Sequence, residues 1–278
     1  MRIEKAGELG FCFGVRRAVD ILEKAARERG GVETLGALVH NQQVLERLAK
    51  TGVRVAKGVN DIQGHAVVVS AHGITPQLEE EIQARNITII DTTCPFVHRL
   101  QLATQRLADT GFFVVIYGDS DHPEVKAALG WANNQGVAAL DAKKLENLPR
   151  RLGILSQTTR IPAHFTEFVK SVVDAAFTRD SELRVIDTIC HDIRDRQAAA
   201  LDLARRVELM LVIGDRSSAN TNRLVELCSN VTKTFLVETA ADIQPSWLQG
   251  HSHVGITAGT STSEQTIEEV IARLEAMT

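Results

Sequence analysis

The sequence predicts an α/β fold of three pseudo-repeated lobes, each with a small parallel-rich sheet flanked by helices. Three observations predict it. Cys12, Cys94 and Cys190 are each followed 28 residues later by a polar residue, His40, His122 and Ser218 respectively. Ile-Asp-Thr-Thr-Cys at 90–94 recurs as Ile-Asp-Thr-Ile-Cys at 186–190. In every copy a helix-like stretch follows the cysteine, and an apolar run then leads to a polar turn. Such self-similarity is the mark of one structural unit used three times, here with one thiol per copy.

Along the chain, Arg2–Ala6 reads as a short strand ahead of Cys12. Cys94 and Cys190, closing the repeats at 90–94 and 186–190, each read as the end of a strand. Arginines follow each thiol, as Arg16 and Arg17, Arg99, and Arg194 and Arg196, and on an exposed helix they make a solvated face. The apolar runs Leu35–Val39, Val114–Tyr117 and Leu211–Ile213 come next. A third run closes each copy on a second polar turn, at Val67–His72, Gly153–Thr159 and Val254–Ser261. Helical patterns at Gln43–Lys50, His164–Ala176 and Glu264–Met277 alternate with these runs, as parallel sheets require. Function in such sheets sits beyond the strand C-termini. The last copy lacks a counterpart of Ile87–Asp91, so the N-terminal strand is the natural substitute and the chain closes on itself. The expected divisions are residues 12–94, 95–190 and 191–278, the third completed by 1–11.

Composition narrows the function. The chain has 278 residues, 44% of them hydrophobic, 4% aromatic, with a net charge of −4. Neither a stacking surface nor a basic groove is indicated, which argues against a nucleic-acid partner. No apolar run reaches the roughly 20 residues of a membrane span, and Met1-Arg-Ile-Glu-Lys is not a signal peptide. The expectation is a cytoplasmic protein, where thiols stay reduced and repeated cysteines read as metal or catalytic groups rather than disulfides. Three lobes around a pseudo-threefold axis would bring Cys12, Cys94 and Cys190 together. Soft thiolates suit an iron-sulfur cluster, zinc or Cu(I). A four-iron cluster normally takes four cysteines, so three leave one iron open to a substrate oxygen. Cys228 has no counterpart in the other copies and reads as helix packing.

The chain resembles the 4-hydroxy-3-methylbut-2-enyl diphosphate reductases (the IspH/LytB family). The segments that carry the resemblance are Gly10-Phe-Cys-Phe-Gly-Val-Arg-Arg-Ala-Val, Val39-His-Asn, Ala71-His-Gly, Asp91-Thr-Thr-Cys-Pro, His122-Pro-Glu-Val, Ser156-Gln-Thr-Thr, Asp187-Thr-Ile-Cys, Ser217-Ser-Ala-Asn-Thr-Asn-Arg-Leu and Thr257-Ala-Gly-Thr-Ser. They occur in the family's order over almost the whole length.

The resemblance implies three lobes around a central iron-sulfur cluster of the 4Fe-4S type, held by Cys12, Cys94 and Cys190 with one open iron. It implies reductive dehydroxylation of (E)-4-hydroxy-3-methylbut-2-enyl diphosphate to isopentenyl and dimethylallyl diphosphate, the last step of the methylerythritol phosphate route. The diphosphate would be bound at His40, His72, His122, Ser218, Ala219, Asn220 and Ser261, groups suited to an anion with many oxygens. Ala219 replaces a serine common in the family and leaves only its backbone N–H. Glu124 would deliver a proton, with Thr158 and Thr159 holding it, water and substrate. No glycine-rich nucleotide fingerprint is present: Gly10-Phe-Cys-Phe-Gly-Val is misspaced and Gly30-Gly31 is a helix end. Electrons would therefore come from an external carrier such as ferredoxin or flavodoxin. Two other readings stay open at this point, an iron-sulfur dehydratase of the quinolinate synthase type and a non-enzymatic iron-sulfur sensor.

Overall fold

A computed structural model describes residues 1–133, 135–176 and 180–277. Its strands form three four-stranded sheets in which every strand pair is parallel. In chain order the first elements are β1 (Arg2–Lys5), α1 (Phe13–Arg29), β2 (Val32–Leu35), α2 (Gln42–Ala49), β3 (Val53–Ala56), β4 (Ala66–Val69), α3 (Pro76–Ala84) and β5 (Thr88–Asp91). Next come α4 (Pro95–Asp109), β6 (Phe113–Tyr117), α5 (Pro123–Gly130), β7 (Gly136–Ala139), β8 (Arg151–Ser156), α6 (Pro162–Ala176) and β9 (Glu182–Val185). The last are α7 (His191–Ala204), β10 (Leu209–Ile213), α8 (Ala219–Ser229), β11 (Lys233–Val237), α9 (Pro245–Leu248), β12 (His253–Ala258) and α10 (Glu264–Glu275).

The sheet orders are β3-β2-β4-β5, β7-β6-β8-β9 and β11-β10-β12-β1. These are one pattern written three times, with the N-terminal strand standing where β5 and β9 stand in the others. The expected three-sheet α/β architecture is thus the observed one. The central strands β4 and β10 are apolar, and every residue of each is buried, as strands covered on both faces require. The edge strands β3, β7 and β11 gave no clear sequence signal, because Val53-Arg-Val-Ala and Gly136-Val-Ala-Ala are half exposed and carry little apolar bulk.

Two sequence expectations need correction. The run Leu35–Val39 is strand only at its first residue: β2 lies upstream at Val32–Leu35, and Gly36, at φ +73°, turns the chain away. That conformation favours glycine. Cys94 and Cys190 do not end strands either. Cys94 is the N-cap of α4, Cys190 immediately precedes α7, and Cys12 immediately precedes α1. Other boundaries have local causes. Gly30, at φ +68°, stops α1, while Asn41, Thr75, Ser218 and Ser263 cap α2, α3, α8 and α10 with their side-chain oxygens.

The described residues fall into two compact units. One contains residues 1–16, 39–50 and 191–278, and so combines the third sheet with β1 and α2. Its core gathers Leu209, Leu211, Ile213, Val254 and Ile256 beneath Val270 and Leu274 of α10. Helix α2 is tied in by Gln43, whose Nε2 donates to the Glu238 carbonyl at 2.8 Å and whose Oε1 accepts from Thr266 Oγ1 at 2.7 Å. The other unit contains residues 17–38 and 51–190, with the first and second sheets. Trp131, just past α5, joins their lobes by donating from Nε1 to the Ile74 carbonyl at 3.0 Å. No helix among the described residues is long and apolar enough to cross a membrane.

Arg196 departs from the solvated role expected of it. It is buried, and its guanidinium donates to the Gly10 carbonyl at 3.0 Å, with the Glu8 and Phe11 carbonyls at 3.5 Å. Helix α7 thereby fixes the loop that carries Cys12. Replacing Arg196 with Leu leaves the buried Gly10 carbonyl without its donor and is expected to cost about 1–3 kcal/mol. The check is the urea midpoint of the apo protein, together with faster amide exchange over residues 8–12.

Candidate functional site

One backbone hydrogen bond recurs at all three thiols. The N–H of Cys12 donates to the Thr260 carbonyl at 3.1 Å, that of Cys94 to Ala71 at 3.1 Å and that of Cys190 to Thr158 at 3.0 Å. Each acceptor lies two residues beyond the strand that pairs with the cysteine's own strand, β12, β4 and β8 respectively. The bond continues the parallel ladder past the sheet and delivers each cysteine to a helix start. The next residue after each acceptor is Ser261, His72 or Thr159, so the second polar turn of every lobe is anchored beside its thiol.

The Asp-Thr-x-Cys repeat has a matching local explanation. Asp91 Oδ1 accepts from the Thr93 N–H at 2.8 Å, and Asp187 Oδ1 accepts from the Ile189 N–H at 3.1 Å. These turns bend the chain out of β5 and β9. The buried threonines beside them donate back to the neighbouring strand, Thr92 Oγ1 to the Val69 carbonyl and Thr188 Oγ1 to the Ser156 carbonyl.

In the unit of residues 17–38 and 51–190, the structure brings five expected residues into one connected group. His72 and His122 meet edge to face with ring centroids 5.4 Å apart. His122 caps α5, its Nδ1 accepting from the Glu124 N–H at 3.2 Å. That bond leaves Nδ1 unprotonated and assigns the ring proton of the neutral form to Nε2. Glu124 is buried; its Oε1 accepts from the Thr158 N–H at 2.7 Å and its Oε2 from Thr158 Oγ1 at 2.9 Å. Burial raises the Glu124 carboxyl to about 7 against the pull of those two bonds. Thr159 Oγ1 is buried with no hydrogen-bond partner among the described residues. Burial also pushes the Cys94 thiol up, opposed by the N–H groups of Phe96 and Val97 and by Arg17, and reinforced by Glu124.

In the other unit, Ser261 Oγ donates to the His40 carbonyl at 3.1 Å. Burial lowers the His40 imidazole, partly offset by Asp215. The Asp215 carboxylate in turn accepts from the Gln42 N–H at 2.9 Å. Ser218 caps α8, Ala219 opens it, and Asn220 is buried with neither amide atom hydrogen-bonded among the described residues. Val15 N–H donates to Cys12 Sγ at 3.4 Å, and Phe13 N–H to Asp192 at 3.2 Å.

Sequence reading missed three supporting residues. Asp215, in the turn after β10, carries no sequence signal of its own. Ser70 holds His72 through Oγ–Nδ1 at 3.3 Å. Gln157 is buried, its Oε1 accepts from the Asp119 N–H at 3.2 Å, and its Nε2 has no partner among the described residues. Gln157 stands in Ser156-Gln-Thr-Thr, so its neighbourhood was visible even though its role was not. Cys228 is the expected packing cysteine: it is wholly buried in α8, and burial pushes its thiol to about 11.

The donor set fits an iron-sulfur group. No disulfide joins the four cysteines, and the three in register all stand at helix starts, where backbone N–H groups favour negative charge. Unpartnered buried groups at Asn220 and Thr159 fit a bound ligand rich in oxygen.

The family model described as LytB protein matches residues 3–275. The chain is 57% identical to the 4-hydroxy-3-methylbut-2-enyl diphosphate reductase of Dehalococcoides mccartyi (strain CBDB1), over 100% of this chain and 99% of that one. It is 39% identical to the protein of the same name from Geobacter metallireducens, over 99% and 97%. The solved reductase from Plasmodium falciparum superposes with a TM-score of 0.92 at 26% identity, covering 98% of this chain and 87% of that one. A second solved structure, described as the terminal enzyme of the non-mevalonate pathway, gives 0.74 at 36% identity, covering 99% and 100%.

Glu124 also makes a stability test. Its folded value near 7 exceeds the ordinary 4.5, so between those pH values the native state holds a proton that the unfolded chain has released. Native stability therefore falls as pH rises through that window, by roughly 3 kcal/mol in all, and levels off above it. Glu124→Gln is expected to flatten this slope. Denaturant titrations of both proteins at pH 5, 6, 7 and 8 measure it, and parallel curves would refute the assignment.

Proposed function

The chain belongs to the LytB family of 4-hydroxy-3-methylbut-2-enyl diphosphate reductases, and from that premise we propose how its own residues remove the C4 hydroxyl of (E)-4-hydroxy-3-methylbut-2-enyl diphosphate. Two electrons and two protons enter, and isopentenyl or dimethylallyl diphosphate and water leave. The observation that carries the reading is the buried Glu124 carboxyl, raised by burial to about 7 and oriented by Thr158 in the same lobe turn that anchors Cys190.

Cys12, Cys94 and Cys190 would hold a 4Fe-4S cluster. When bound, such a cluster supplies single electrons and a Lewis-acidic iron without a protein ligand. The polar side chains bind the other end of the substrate. His40, His72, His122, Ser218, Asn220 and Ser261 supply donors for the diphosphate, and Ala219 offers the backbone N–H of a first helical residue. Ligand oxygens would complete the amide of Asn220, which is otherwise buried and unpaired. Glu124 is poised to keep a proton at neutral pH and give it to the departing hydroxyl oxygen. Thr158 aims that carboxyl with two hydrogen bonds, and the Thr159 hydroxyl contacts substrate or a bound water. Ferredoxin or flavodoxin would bring the electrons. The reaction belongs in the cytoplasm, where the thiols stay reduced. A dehydratase would need no external electrons, and a sensor would need neither the acid nor the anion-binding donors.

Two outcomes are expected in anaerobic assays with a reduced viologen. Glu124→Gln should lower turnover by about 10²-fold or more while the cluster absorbance and the substrate KM stay near those of the parent. Retained full activity would remove Glu124 from the mechanism. Cys94→Ala should lose bound iron on reconstitution, measured by iron content per chain; full iron loading would remove that cysteine from the ligand set.

A further inference from the structure

In the second lobe, α4 and the edge strand β9 enclose a groove of about 930 Å³. Its floor is apolar, with Leu102 from the helix and Val185 and Ile186 from the strand end. The last two are 48% and 37% exposed. Its rim carries the exposed residues Arg99, Arg106 and Arg184, with Asp109 in the lining and the Glu182 carboxylate 3.3 Å from Arg184. That local excess of positive charge stands on a chain whose net charge is −4. Two of the arginines are held in place: Arg99 donates to the Asp187 carbonyl at 3.1 Å, and Arg184 lies 4.2 Å over the Phe112 ring. Arg106 has no hydrogen bond from its side chain among the described residues.

The groove's ends matter more than its size. Pro95, which follows Cys94, lines one end. Ile186, four residues before Cys190, lines the same groove, and the Arg99 bond to Asp187 ties α4 to the turn that leads to that cysteine. A protein seated here would rest on the residue after Cys94 and on the strand end four residues before Cys190.

We propose that this groove docks the electron carrier, a small acidic one-electron protein that presents carboxylates around an apolar patch. The proposal rests on the reductase reading. The carrier docks twice per turnover and gives up one electron each time, its own cofactor being oxidised as the substrate's C–O bond is reduced. Exposed apolar surface ringed by opposite charge suits such a partner, because electron-transfer complexes are small and short-lived. Charge steering sets their encounter rate and makes it fall with salt. An exposed strand edge guarded by arginine is also an ordinary device against aggregation, but that role does not require a groove whose lining runs from the residue after Cys94 to the strand that leads to Cys190.

The test uses full-length reconstituted enzyme, an acidic flavodoxin and reduced methyl viologen, with Arg106→Glu and Val185→Asp as independent variants. Each is expected to weaken flavodoxin binding at least tenfold by calorimetry and to raise the KM for flavodoxin alike. The viologen-driven rate should stay within twofold of the parent, and added salt should weaken parental binding more than that of Arg106→Glu. Unchanged flavodoxin affinity in both variants would overturn the docking assignment. So would a parallel loss of viologen activity in both, which would mean the groove supports the enzyme rather than the carrier. A parent that carries the cluster but is inactive even with viologen would overturn the reductase reading instead.

Discussion

The hydrogen bond from each cysteine's backbone to the carbonyl beyond the adjacent strand organises everything else. It places a thiol at a helix start and fixes the next residue of the partner turn as a neighbour, in one move and three times over. A cysteine held by its side chain alone could reach a metal from many backbone positions. Here the main chain is fixed first, by the same parallel ladder that builds the sheets, so the thiol position follows from sheet register. Side-chain substitutions nearby can change chemistry without moving the thiols.

How each lobe secures that bond differs. In the first two sheets an Asp-Thr pair does it, the aspartate turning the chain and the threonine stitching it to the next strand. The third sheet borrows its last strand from the N-terminus, and Lys5-Ala-Gly-Glu offers no such pair. Arg196 takes over by collecting the carbonyls of the loop before Cys12. A guanidinium suits this task, since its fixed fork of donors can hold several carbonyls at once. The chain thus closes on itself through one buried cation where the other lobes use covalent continuity.

Much of this was legible in the sequence because one stretch of each repeat has constant length. The strand after each cysteine ends at Leu35, Tyr117 or Ile213, 23 residues beyond Cys12, Cys94 or Cys190. A helix spanning one layer of the sheet fixes that distance, so His40, His122 and Ser218 fell into register. Beyond it the register drifts: His72, Thr159 and Ser261 each lie three residues past their strand, but at differing distances from the cysteines. The variable segment holds the edge strands β3, β7 and β11 and their connections, which are half exposed and so weakly constrained in composition and length. Arg196 stayed hidden for another reason. Its partners are main-chain carbonyls of a distant segment, which leave no mark on side-chain pattern.

Threefold repetition also leaves one backbone position to carry a different side chain in each lobe. Two residues after the register position the lobes carry Gln42, Glu124 and Asn220. Gln42 is exposed, and its backbone N–H binds Asp215. Asn220 is buried with its amide unpaired among the described residues. Glu124 alone is acidic, and burial rather than any neighbouring charge is the largest cause of its raised value. The same backbone position therefore yields a surface contact, an acid and an amide, depending on side chain and on depth. The main-chain bond at each thiol lets a lobe change that side chain while its cysteine stays where the sheet puts it.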